Sequence, residues 1–190
     1  IFCGQSSSTL IFPEQEHTSH RFHEFKHLDL EISNSNINDI YDCFNSHFSQ
    51  EKLENIKYNL DENDDDQEAF TGIADAIKTQ FIVRVPKVLI IILKKFKNDI
   101  SKINKLIQFT IDILEIKPYV LNNKKTNTNY SLYGIVCHYG DVGGGHYTAK
   151  CKNNGVWYHF NDSNVSVIDD TDDLVDESAY ILFYKQKESK

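Results

Sequence analysis

Tyr139-Gly140-Asp141-Val142-Gly143-Gly144-Gly145-His146-Tyr147-Thr148-Ala149 is the stretch whose reading decides the fold. A histidine directly behind three glycines enters an alternating segment, the pattern of a side chain held at the mouth of a strand by a flexible loop. The wider block, from Tyr133 to Val165, goes on to Trp157, Tyr158 and Phe160 and then to the polar pair Asn161-Asp162. Asn161 follows His146 by fifteen residues. That separation fits an antiparallel hairpin with its turn near Asn153-Asn154-Gly155, which returns Asn161 beside the ring of His146.

A histidine with a side-chain acceptor beside it is two thirds of a thiol-protease triad. The base takes a proton from the nucleophile, and the third group holds the imidazole in one tautomer and orientation. The residues Gly144-Gly145-His146-Tyr147-Thr148-Ala149, followed by Trp157-Tyr158-His159-Phe160-Asn161-Asp162-Ser163-Asn164-Val165, resemble the histidine box of the ubiquitin-specific proteases. These are papain-like cysteine enzymes that cut ubiquitin from its conjugates. Ala179-Tyr180-Ile181-Leu182-Phe183-Tyr184 resembles the family's last strand, and Val85-Pro86-Lys87-Val88-Leu89 through Leu93-Lys94-Lys95-Phe96 matches its central palm strand. Ile103 to Ile116 resembles the strand that precedes Tyr119. The resemblance covers nearly the whole chain and is strongest toward its end.

It implies an α+β fold, a papain-like ubiquitin-specific protease catalytic domain with an antiparallel palm sheet, a fingers hairpin extension and few helices, the thumb being missing. Residues from about 1 to 85 would form the fingers and an associated helix, and those from about 86 to 190 the palm with the histidine box. The resemblance makes His146 the general base and Asn161 the residue that orients its ring. Asp162 stands next to it; because adjacent strand residues face opposite sides, one of the pair meets the ring, and Asn161 is favoured. Asp162 is left to polarise water or help with the oxyanion. Gly143, Gly144, Gly145 and Tyr147 are the implied substrate-binding residues, with the loop from Gly140 to Gly145 walling a narrow channel for a ubiquitin tail that ends in two glycines.

The nucleophile departs from the family pattern. A Gly-Asn-Thr-Cys segment at a helix N-terminus, where the dipole favours a thiolate, does not occur here. Cys3 is followed by Gly4-Gln5, Cys137 and Cys151 flank the His146 hairpin, and Cys43 has no base or positive charge beside it. None of the four is assigned as nucleophile. The expected function is a thiol-dependent deubiquitinase whose nucleophilic cysteine lies outside this chain, the fragment being inactive without it. The alternative is a catalytically inactive ubiquitin-binding module. Expected partners are ubiquitin, its conjugates and the missing N-terminal thumb segment as a separate chain.

Composition bounds the remainder. With 190 residues, 40% of them hydrophobic, the chain can bury one good core and reads as one domain or most of one. No run of about 18 apolar residues is present, so no membrane span is expected. The start, Ile1-Phe2-Cys3-Gly4, lacks the basic and apolar regions of a signal peptide, and the chain has no methionine, so it reads as a piece of a longer protein. Scattered cysteines with no CxxC pair suit a reducing compartment, cytoplasmic or nuclear. A net charge of −8 disfavours binding to nucleic acid.

No metal is expected. Aligned on Ser19-x-Arg21-Phe22 and on Gln67-x-Ala69, the family's four zinc-ligand positions fall on Phe12, Gln15, Leu60 and Asn63, so the resemblance implies that the zinc site is lost. His17, His20, His23 and His27 would share a face on a helix, but the segment reads as extended, with His20 pointing away from the other three. Surface histidines are favoured over a metal cluster.

The local patterns set further expectations. Ile1 to Gln5 and Thr9 to Phe12 read as short apolar pieces separated by a turn at Ser6-Ser7-Ser8, and Leu28, Leu30 and Ile32 predict a strand with one buried face. Between Asn34 and Leu53, the residues Ile37, Ile40, Tyr41, Phe44 and Phe48 predict an amphipathic helix capped by Asn36. Asn59 to Glu68 reads as an acidic solvated loop, and Asn122 to Asn129 as a polar one. After Pro86, the β-branched run from Val88 to Leu93 predicts a strand covered on both faces. Alternating apolar residues continue through Ile103 to Ile116, and Asp169 to Asp176 reads as a short helix start before the last strand.

Overall fold

A computed structural model describes residues 1–58, 72–97, 101–121, 126–141 and 143–188. The chain runs β1 (Gly4–Phe12), β2 (His17–Phe25), β3 (Leu28–Glu31), α1 (Ile40–His47), β4 (Glu51–Tyr58), β5 (Gly72–Arg84) and β6 (Val88–Lys94). It continues with β7 (Leu114–Glu115), β8 (Asn129–Asp141), β9 (Gly144–Asn153), β10 (Val156–Asn161), β11 (Asn164–Ile168) and β12 (Ala179–Gln186). Two sheets result. One has four strands in the order β2-β1-β5-β4, and the other eight, in the order β11-β10-β9-β8-β12-β6-β3 with β7 paired to β8.

The serine run does not turn. β1 crosses Ser6-Ser7-Ser8 in a continuous ladder with β2, from Gly4 opposite Phe25 to Phe12 opposite His17, and pairs with β5 on its other edge. Ladder bonds on both sides outweigh the local turn preference of serine, and Ser6 and Ser7 end up buried. The extended stretch that follows is two strands, and the second leaves the first sheet altogether: β3 pairs parallel to β6, Leu28 opposite Ile91 and Leu30 opposite Leu93. Leu28, Leu30 and Ile32 are buried, as their period of two requires.

The helix is shorter than its pattern. Asp39, not Asn36, caps it: the Asp39 carboxylate accepts from Asp42 N–H at 2.8 Å, and the Asp42 carboxylate accepts from Asp39 N–H at 3.2 Å. Asn36 instead donates its N–H to the Asn34 side chain in a turn. Ile40 N–H donates to Gln108 O at 2.8 Å and Gln108 N–H to Asn38 O at 3.0 Å, so the residues before Ile40 are held extended by a distant segment. Cys43 and Phe44 are fully buried on the face that meets the eight-stranded sheet.

β6 is covered on one face rather than two. Leu89, Ile91 and Leu93 are buried in the main core, whereas Ile90 and Ile92 are half-buried. Their register partners on β12, Phe183 and Ile181, are half-buried as well, and so is Val136 on β8. One side of the large sheet therefore packs against α1 and the 101–121 segment, and the other carries these half-buried apolar side chains. The 103–116 segment forms only the two-residue β7 in place of an alternating strand, although Ile107, Phe109, Leu114 and Ile116 are buried. Its anchors are long-range: Lys95, itself buried, donates to Lys105 O at 3.1 Å and to Glu177 O at 2.9 Å. Burial first, then the charge of Lys102, pulls the Lys95 ammonium below the usual lysine range.

Asn59 to Glu68, read as an acidic loop, and residues 122–125 of the polar stretch lie outside the described residues, and a 3-10 turn at Thr171–Leu174 occupies the acidic stretch before β12. Among the described residues, no helix is long and apolar enough to cross a membrane.

Candidate active site

β9 and β10 are joined by a two-residue turn, Asn154-Gly155, with φ of 49° and 86°. Left-handed pairs of this kind match the twist of adjoining strands in a tight hairpin, and Asn-Gly adopts them with little strain. The turn fixes the register, with Val156 opposite Asn153 and Phe160 opposite Ala149. Asn161 thus faces the Thr148 position and lies on the diagonal from His146, on the same side of the sheet. The result is a contact of 2.6 Å between His146 Nε2 and Asn161 Oδ1.

An amide oxygen can only accept, so Nε2 carries the proton and donates it. The second ring nitrogen, Nδ1, then holds a lone pair, on a residue that is exposed. The structure thus brings His146 and Asn161 together. Asp162 is exposed in the turn between β10 and β11, with φ of 52°. Gly143, Gly144 and Gly145 are exposed beside His146, and Tyr147 is 54% exposed on the opposite side of β9.

What supports His146 from below was not read from the sequence. The His138 ring, 4% exposed, lies against the backbone of Gly145: a Cβ there would be 2.1 Å from His138 Nε2 and 2.8 Å from Tyr139 O. Tyr147, Phe96 and Tyr180 surround the same ring, with centroids at 4.6, 5.2 and 6.4 Å. Burial, then the charge of Lys102, holds His138 below the ordinary histidine value. Gly140, with φ of 86°, meets the Gly144 carbonyl so closely that a Cβ would be 2.7 Å from it. Gly145→Ala is expected to lower unfolding stability by about 1–3 kcal/mol through overpacking against a ring that cannot retreat. Gly134→Ala, whose Cβ would meet only Phe183 at 3.6 Å or more, is expected to keep the wild-type denaturant midpoint.

The cysteines are free thiols. Burial, reinforced by the charges of Asp39 and Asp42, pushes Cys43 up to about 12. Burial also raises Cys137 and Cys151. In all three the balance disfavours the thiolate, the opposite of an activated thiol.

Of the four zinc positions the resemblance implies, the side chain of Phe12 can be placed. Phe12 is 1% exposed, its ring stacked on His17 at 5.8 Å, and a phenyl ring gives a cation no donor. Leu60 and Asn63 lie outside the described residues. On β2, His17 and His23 share a face while His20 faces the other way and meets the Thr9 hydroxyl at 3.0 Å. Among the described residues, no three His, Cys, Asp or Glu side chains are grouped to hold a metal ion.

The profile described as ubiquitin carboxyl-terminal hydrolase matches residues 1–184. The chain belongs to the ubiquitin carboxyl-terminal hydrolase family. Within it, the chain is 32% identical over 195 residues to the probable ubiquitin carboxyl-terminal hydrolase R319 of Acanthamoeba polyphaga mimivirus, covering 97% of this chain and 40% of that protein. It is likewise 32% identical over 197 residues to ubiquitin carboxyl-terminal hydrolase 8 of Saccharomyces cerevisiae, with the same coverage. Among solved structures, the chain matches one of the SAGA Ubp8/Sgf11/Sus1/Sgf73 DUB module bound to ubiquitin aldehyde with a TM-score of 0.83 and 30% identity, covering 100% of this chain and 42% of that one. The fold is thus that of a ubiquitin-specific protease catalytic domain, α+β and papain-like. The chain spans about 40% of the length of these curated relatives.

Proposed function

We propose that this chain is the base-bearing part of a thiol-dependent deubiquitinase that cleaves after the C-terminal glycine of ubiquitin. The 2.6 Å contact between His146 Nε2 and Asn161 Oδ1 carries the proposal. With Nε2–H donated to the amide oxygen, Nδ1 is the nitrogen that accepts a proton from a thiol. The thiolate then attacks the terminal glycine carbonyl, and the imidazolium returns its proton to the leaving amine. Water, deprotonated by the same ring, hydrolyses the thioester. Asn161 keeps the ring in one tautomer through each proton transfer, and Asp162 polarises water or assists the oxyanion. The glycine-ended tail of the substrate runs past Gly143 and Gly144, where nothing lies within 4 Å of the place a Cβ would take, while the His138 ring takes that room at Gly145 and Tyr147 packs on that ring on the other side of β9.

The nucleophilic cysteine comes from outside these residues. It is carried by a segment that brings a thiol to the exposed ring of His146. The relative bound to ubiquitin aldehyde supports ubiquitin as ligand. The first sheet works without zinc, held by strand pairing and the buried Phe12, and the free thiols suit the cytoplasm or nucleus.

The test is incubation of the protein in its full natural length with ubiquitin bearing a C-terminal electrophile. A covalent adduct with one ubiquitin is expected, and none with residues 1–190 alone. Ubiquitin binding without an adduct at full length would instead favour an inactive binding module.

A further inference from the structure

Past Cys137, β8 loses its neighbour on one side. β12 pairs with it from Gln186 opposite Tyr130 to Ala179 opposite Cys137. The next bond on that side is His138 N–H donating to Ser178 O at 2.8 Å. Backbone groups alternate sides along an antiparallel strand, so the carbonyls of His138 and Gly140 point to the vacated side while Tyr139 between them faces β9. Among the described residues, no strand supplies donors there. An open cavity of about 550 Å³ occupies the place, lined by Lys102, Asn104, His138, Gly140 and Ser178 among others.

Lys102 fills the gap. Its Nζ donates to His138 O at 3.0 Å and to Gly140 O at 2.8 Å. An ammonium with three donors can satisfy two converging carbonyls at a point where no strand arrives. The lysine is held independently of β8, through the Phe96–Lys102 bridge and the bond from Ile103 N–H to Lys95 O at 2.7 Å. Tyr139, the residue bracketed by the two carbonyls, is the register partner of His146. His138, whose carbonyl is one of the two, seats its ring under Gly145, immediately before His146.

We propose that Lys102 is a positioning residue for His146, standing in for the missing strand and fixing the half of the hairpin that the catalytic ring is registered against. The proposal rests on the reading of His146 as the base, and it makes no use of substrate contact by Lys102.

Lys102→Met, which keeps the chain length and removes the donors, tests it with two readouts. In residues 1–190, imidazole ¹⁵N spectra at alkaline pH are expected to move His146 from a single tautomer toward a mixture, while the melting temperature stays at the wild-type value. In the full-length protein, kcat on a ubiquitin C-terminal reporter is expected to fall on the order of 10-fold with KM unchanged, since a small misplacement of the base acts on the chemical step. Lys102→Arg, which retains paired donors, is expected to restore both. Unaltered His146 signals in Lys102→Met overturn the proposal. A changed tautomer in a protein inactive even as wild type leaves the positioning role standing and removes only the catalytic reading. If Lys102→Met melts early, Lys102→Arg decides: wild-type signals support the role, and a disordered tautomer at an unchanged melting temperature overturns it.

Discussion

His146→Ala is expected to lower kcat of the full-length protein by about 10²–10⁴-fold, the usual contribution of a positioned general base. KM for ubiquitin conjugates is expected to hold, because the imidazole meets the reacting atoms and not the bulk of the substrate. Asn161→Ala leaves the base in place but frees its ring. The fall in kcat should then be smaller, on the order of 10²-fold, as for a catalytic group displaced by about an ångström. The double variant should be no worse than His146→Ala alone, since Asn161 acts only through the ring. Additive losses would mean that Asn161 has a separate role.

Asp176→Ala is expected to destabilise the fold by about 3 kcal/mol. Lys150, on β9 beneath the His146 hairpin, is 7% exposed in its side chain, and its Nζ pairs with the Asp176 carboxylate and donates to Asp173 O. Removing the carboxylate strands a buried ammonium, which lies among the costliest single changes. The value is set low because Asp176 is itself 39% exposed and water screens part of the pair. Burial alone would raise the Asp176 carboxyl, but hydrogen bonds from Lys150 and Ser178 outweigh it and hold the group below its ordinary 3.8. A carboxyl depressed on folding contributes stability that is present above its unfolded value and is lost as pH falls through its folded value. Urea midpoints should therefore fall below about pH 4 in the wild type, with a weaker fall in Asp176→Asn. An equal acid response in the two proteins would remove Asp176 as the source.

The parts of this architecture that are local in sequence are the parts that a reading of the sequence recovers. Asn154-Gly155 encodes a hairpin by itself, and a hairpin of that length has little choice but to return Asn161 to His146. The same holds for Pro86 ending one strand before another begins. Elements decided by remote partners are not recovered. Ser6-Ser7-Ser8 has the composition of a turn, and only the flanking β2 and β5 make it a strand. Asn36 and Asp39 are both good caps, and the choice between them is made by Gln108, whose backbone pairs with Asn38 and Ile40. The parallel pairing of β3 with β6 has no sequence signal at all.

The site divides along the same line. His146 and Asn161 are marked by glycines, aromatic residues and a turn, all within one hairpin. Lys102 and His138 are marked by nothing, because a lysine acquires its role only when a neighbouring strand stops short, and a histidine in an alternating strand looks like any other until a glycine packs on it. The half-buried side of β6 is likewise invisible in a run of isoleucines. Residue type reports that a surface is apolar, and not how far it is covered.

The most direct test of the site is the protonation pattern of one imidazole. Two-bond ¹H–¹⁵N spectra of residues 1–190 at alkaline pH should give His146 as the Nε2-protonated tautomer, with that preference abolished in Asn161→Ala. A wild-type ring protonated at Nδ1, or one indifferent to Asn161→Ala, would contradict the assignment of His146 as a base steered by Asn161.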